Sequence, residues 1–99
     1  MADIREMQSQ VKEYDNKFGW DKDTASHIVL HITEELGEVS RRIMRYEGYK
    51  IENFSKKELA EEITDMLYLT LKLANKFDIN IEKEWQEMWI RYKDKKSRI

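Results

Sequence analysis

The 99-residue chain contains no cysteine and no proline, has only three glycines, and lacks any apolar run near the roughly 20 residues that a membrane span requires. Without cysteine there are no disulfides and no soft thiolate ligands, and no signal-peptide pattern is present, so a soluble cytoplasmic protein with no membrane partner is expected. Three glycines and no GxxxxGK[ST] string exclude a P-loop nucleotide site. Proline, which thermophilic chains add to their loops, is missing, so the high Lys and Glu content does not by itself mark a thermophile. Charge of one sign is also lacking: 18 Lys and Arg against 20 Asp and Glu leave a formal net charge of -2. A nucleic-acid-binding surface needs a basic excess, so no nucleic acid polymer is expected as a partner, and any polyanion handled is small.

What is there is helical periodicity. Strict alternation is nowhere sustained, while apolar residues recur at three- and four-residue spacing almost throughout, which predicts an all-α single domain over residues 1–99. Helix 1 carries Ile4, Met7, Val11, Tyr14 and Phe18, and Gly19 can end it in a left-handed cap. Asp21 or Asp23 can cap helix 2, which runs to about Tyr46 with Ile28, Ile32, Leu36, Val39 and Ile43 in its stripe. After the loop "EGYKIENF", "SKKE" reads as a capping box at Ser55 and Glu58 and opens helix 3, which extends to about Phe77. The stripe of helix 3 is Leu59, Ile63, Met66, Thr70, Leu73 and Phe77. Asn80 can cap helix 4, with Ile81, Trp85, Met88, Trp89 and Tyr92, before the basic tail "KDKKSRI". Short connections predict antiparallel neighbours and a four-helix bundle-like domain. A chain this short buries only about two-thirds of its unfolded surface, and the Trp-rich face of helix 4 is broad, so assembly into a homodimer or homotetramer is expected.

The acidic residues are placed against this pattern rather than around it. In "ITEELGEV", 100° per residue puts Glu35 at the border of the apolar stripe of helix 2, with Glu38 one turn on. In "EEITD", Glu62 and Asp65 repeat the arrangement on helix 3. In a chain with thirteen glutamates neither string is specific alone, and a solvated acidic face is the ordinary explanation of one. Two such pairs on long antiparallel helices can share one edge of the core, where their repulsion calls for a cation. Oxygen ligands favour Mg²⁺, or Mn²⁺ in its place.

"EELGEV" at 34–39, followed by "ELAEEITDMLYLTLKLANKFDINIEKEW" at 58–85, resembles the MazG-type all-α nucleoside triphosphate pyrophosphohydrolases. The likeness covers most of the chain, from about Thr24 onward. It implies metal ligation by Glu35, Glu38, Glu62 and Asp65, with Glu34 as an accessory ligand or an orienter of the attacking water. It also implies a nucleoside triphosphate substrate, a monophosphate and pyrophosphate as products, and a role in clearing non-standard nucleotides.

Cations could serve the outer phosphates: Arg42 and Arg45 beyond Glu38, Lys72 two turns past Asp65, and Lys93, Lys96 and Arg98 near the C-terminus. For Arg42 an i, i+4 pair with Glu38 is an equal alternative, and for the C-terminal lysines a solvated helix end. Trp20 and Tyr49 stand in loops where an aromatic can stack on a base, or simply pack. His27 and His31, four apart, are a lesser candidate for a transition metal. A ferritin-like di-iron site is disfavoured, because no histidine follows Glu35 or Glu62 at the required spacing. The non-enzymatic alternative is a helical oligomerisation or interaction module with a solvated acidic face.

Overall fold

A computed structural model describes residues 3–48 and 51–95, apart from the side chains of Ile51, Asp94 and Lys95. Four helices account for most of it: α1 (Ile4–Phe18), α2 (Ala25–Tyr46), α3 (Lys56–Lys76) and α4 (Ile81–Lys95). Short 3-10 turns at Trp20–Lys22 and Ile51–Asn53 lie in the first two connections. Among the described residues there is no strand.

The helix boundaries follow from local chemistry. Asp3 accepts from the Glu6 amide to start α1, and Gly19 at φ 77° ends it in the left-handed region, where a Cβ would be strained. Neither Asp21 nor Asp23 caps α2. Thr24 does so, its hydroxyl accepting from the His27 amide at 3.1 Å, because Asp23 is held by Lys72 Nζ at 2.7 Å. Ser55 caps α3 by accepting from the Glu58 amide, while the Glu58 carboxylate faces Arg42. Asn80 accepts from the Lys83 amide at the start of α4.

Packing centres on α3. Arg42, late in α2, meets Glu58 at the start of α3, and Asp23 meets Lys72 near its end, so α2 and α3 are antiparallel. Gln8 meets Asn75 and Asp15 meets Tyr68, so α1 also runs against α3. The short link from Gly19 to Thr24 therefore does not fold α2 back along α1 as an antiparallel neighbour. Both helices make their main contacts with α3. One consequence falls on the apolar stripe of α3. Leu69 and Leu71, about 200° apart on the helix, are both 2% exposed, whereas Ile63 and Phe77, expected at the stripe, are 53% and 62% exposed. A helix gripped from two sides buries two faces, and the face between them is left open.

Gln8 ties three elements together. Its carboxamide donates to Asn75 Oδ1 and the Ile79 carbonyl, and its oxygen accepts from the Ile81 amide at the head of α4. Beyond that junction α4 is sparsely covered: Trp85, Trp89 and Ile90 are half exposed or more, and Trp85, Trp89 and Tyr92 form an edge-to-face ladder. The chain exposes 8133 Å², against about 6,000 Å² for a compact globular protein of its 12.1 kDa mass. Its radius of gyration, 16.0 Å, likewise exceeds the roughly 13 Å of a compact chain of this length.

Candidate metal centre

Seven residues make nearly two whole turns, so Ile28, Glu35 and Arg42 share one side of α2, and Glu62 and Leu69 share one side of α3. Ile28 and Leu69 are each 2% exposed and anchor the two helices. With the helices antiparallel, Glu35 and Glu62 come to the same level. Their side chains are 18% and 17% exposed. Asp65, one turn along α3 and more exposed, completes a set of three carboxylates that each bring one oxygen to within 4.8 Å of the other two.

Three carboxylates this close cannot all be ionised without compensation. The Glu35 carboxyl is pushed up from 4.5 to about 7, chiefly by a hydrogen bond to Glu62 that exists only when the pair holds a proton. Burial adds to this, followed by the charges of Glu62, Asp65 and Glu38. With both groups ionised, Glu35 Oε2 is buried without any hydrogen-bond partner. The compensation present is partial: Arg42 reaches Glu58 at 3.4 Å and Glu62 at 3.6 Å, with its Nε buried and unpartnered, and His31 stands 3.7 Å from Glu35. An orphaned anionic oxygen beside two further carboxylates fits a hard divalent cation.

The other sequence candidates divide. Glu38 lies on the same edge and its charge is felt by Glu35, but its carboxylate is paired with Arg41 at 2.7 Å and does not join the three. Glu34 is exposed and outside the cluster. Arg42 points into the α2–α3 seam at Glu58 and Glu62 rather than at Glu38. Lys72, 7% exposed, is turned to Asp23 and lies over the Tyr68 ring. Arg45 is half-buried in the last turn of α2, and Lys93 is exposed on α4. Trp20 is half exposed in the turn after α1. Tyr49, Lys96 and Arg98 lie outside the described residues.

Sequence reasoning missed a second polar group beside the cluster. Asp15, 4% exposed, accepts a short hydrogen bond from the Tyr68 hydroxyl, and burial followed by this bond pushes the phenol above its ordinary range. The partners are 53 residues apart, so no local pattern could have paired them.

An all-α chain in which two antiparallel helices bring three carboxylates to one point is a protein with a candidate divalent-cation site. The model of the phosphoribosyl-ATP pyrophosphohydrolase family matches residues 3–90, from the α1 cap into α4, and the chain belongs to that family. These are hydrolases of phosphoanhydride bonds, typically metal-dependent, and relatives of the MazG-type proteins that the sequence resembles. Among curated proteins, the uncharacterized protein YpjD of Bacillus subtilis (strain 168) is 30% identical over 82 residues, which is 81% of this chain and 74% of that one. No solved structure matches the chain. Among the described residues, no helix is long and apolar enough to cross a membrane.

Proposed function

We propose that the chain is a MazG-type, Mg²⁺-dependent pyrophosphohydrolase of nucleoside triphosphates, with Mn²⁺ able to replace Mg²⁺, releasing a nucleoside monophosphate and pyrophosphate. The supporting observation is the set of three carboxylates within 4.8 Å, one of them holding a buried oxygen without a partner. Glu35, Glu62 and Asp65 would hold the cation, and Glu38 would join them by exchanging its bond to Arg41. When bound, the cation supplies neutralisation of phosphate oxygens and a water acidified toward neutral pH. Glu35 gives up its proton as the site loads, because the pKa of about 7 belongs to the metal-free cluster. Glu34, exposed beside it, would orient the water. Arg45 and Lys93 are candidates for the outer phosphates, since Arg42 and Lys72 already hold carboxylates.

Self-association into a homodimer or homotetramer belongs to the same proposal. It is supported by roughly 2,000 Å² of exposed surface beyond that of a compact chain, more than twice the about 800 Å² that each partner buries in a standard interface and in the range of obligate homodimers. Cytoplasmic clearance of non-standard nucleotides is the role that accords with such a reaction.

The test is to incubate the purified protein with canonical and modified nucleoside triphosphates and with phosphoribosyl-ATP, in Mg²⁺ and in EDTA, and to separate the products. Monophosphate plus pyrophosphate, formed only with Mg²⁺, is expected. Diphosphate plus orthophosphate would reject the bond assigned, and no turnover under any condition would favour the helical interaction module.

A further inference from the structure

Asp65 belongs to two features at once. It is a member of the carboxylate cluster, and it closes one end of a groove of about 520 Å³ between α1 and α3. Gln10, Val11 and Tyr14 form one wall, and Leu67, Tyr68 and Leu71 the other. The volume lies within the range of small-molecule sites; grooves of about 520 Å³ along α1 at Arg5 and Glu13 and of about 470 Å³ at Lys57, Glu62 and Asp65 match it in size, but both are lined mainly by polar and charged side chains, and this one mainly by apolar ones. From Asp65 to Leu71 the floor runs roughly 9 Å at 1.5 Å per residue, the length of a nucleoside rather than of an extended peptide.

The chemistry of the walls is selective. No lysine, arginine or histidine lines the groove, so nothing in it attracts phosphate, and a polyphosphate would stay at the cluster end. What the groove offers is apolar surface, a carboxamide at Gln10 and two aromatic rings. Tyr68 is fixed, because its hydroxyl is bound to Asp15. Tyr14 meets that ring edge-on at 6.1 Å and packs against Phe18 at 5.0 Å, yet it is 51% exposed, so about half of the side chain is open to a stacking base.

The geometry points to this groove as the nucleoside subsite: with the phosphates at Glu35, Glu62 and Asp65, the sugar and base lie between α1 and α3, stacked against Tyr14. This rests on the proposed activity, and it moves base recognition from the loop aromatics to α1 and α3. Leu67, 42% exposed, can be enlarged without disturbing the core.

The experiment compares the wild type with Leu67→Trp, which fills the groove, and with Tyr14→Ala, which removes the stacking face. Three quantities are read in Mg²⁺: KM for nucleoside triphosphates, the inhibition constant of inorganic tripolyphosphate, and the molecular mass in solution. A KM raised about tenfold in both variants, the loss of one stacking contact, with an unchanged inhibition constant, is the expected result. An unchanged KM overturns the assignment, as does an equal rise in both constants. A fall in molecular mass with an unchanged KM would instead make the groove a contact between copies and overturn it too. If the wild type turns over no triphosphate, the proposed reaction fails on its own, and the groove is then judged by NMR titration with the four unphosphorylated ribonucleosides. Shifts at the Tyr14 and Tyr68 rings that Leu67→Trp abolishes would uphold the subsite, and their absence would reject it.

Discussion

Replacing Glu35 by glutamine should make the metal-free protein more stable at pH 8 and shift it only about a quarter as much at pH 5. The cluster raises the Glu35 carboxyl from 4.5 to about 7, so between these values the folded state binds more protons than the unfolded one. Stability of the metal-free protein therefore falls as pH rises through that window and is lowest above pH 7. At about 1.4 kcal/mol per tenfold, the full cost of ionising Glu35 is on the order of 3 kcal/mol, and sharing of the proton with Glu62 reduces what one substitution recovers to about 1–3 kcal/mol. Glutamine keeps the shape, removes the charge and can donate to Glu62. For a domain of this size the gain corresponds to a Tm higher by roughly 5–15 °C. Calorimetric melts at fixed protein concentration, at both pH values and with and without Mg²⁺, read it directly. Mg²⁺ should raise the wild-type Tm more at pH 8 than at pH 5, because protons compete for the same oxygens, and should do little for Glu35→Gln. A variant less stable than wild type at pH 8, or shifted equally at both pH values, would refute a charge-repelled cluster held open for a cation.

The remaining predictions concern the groups around it. Arg42→Met leaves Glu58 and Glu62 without their cation and should destabilise the metal-free protein by about 2–4 kcal/mol, with Mg²⁺ restoring part of the loss; a neutral effect in denaturant titration would mean that the pairs at 3.4 and 3.6 Å contribute nothing. Lys72→Met strands Asp23 and should cost about 1–3 kcal/mol at neutral pH. The hydrogen bond from Lys72 holds the Asp23 carboxyl below its ordinary 3.8, so this pair stabilises the fold above that pH and is lost as pH falls through the lowered value; an acid titration of the variant should show a shallower loss than the wild type. Tyr68→Phe removes the donor to the buried Asp15 and should cost about 1–3 kcal/mol by chemical denaturation, with an effect below 0.5 kcal/mol arguing that water replaces it.

The helices were legible because their signals are local. The Gly19 stop, the Ser55 and Asn80 caps and the end of α2 at Tyr46 each depend on residues within one turn. Even so, Asp23 was misread as a cap: a short acidic side chain before a helix is equally a partner for any lysine the tertiary fold delivers, and Lys72, 49 residues on, claimed it. The same limit explains the stripe of α3. A single amphipathic face is the expectation for a helix with one neighbour, and only the fold could show that α3 has two.

The sequence by itself determined that the protein is all-α, that it carries two acidic pairs on its two longest helices, and that Glu35 and Glu62 stand at the borders of apolar faces, since each of these is set by spacing along one helix. Tertiary structure decided which carboxylates meet, bringing Glu35, Glu62 and Asp65 together, and it set Arg42 and Lys72 against carboxylates of other elements. It also opened the groove that begins at Asp65. Spacing fixes an angle around a helix axis, but the pairing of charges depends on separations of a few ångströms between helices, which no single helix encodes.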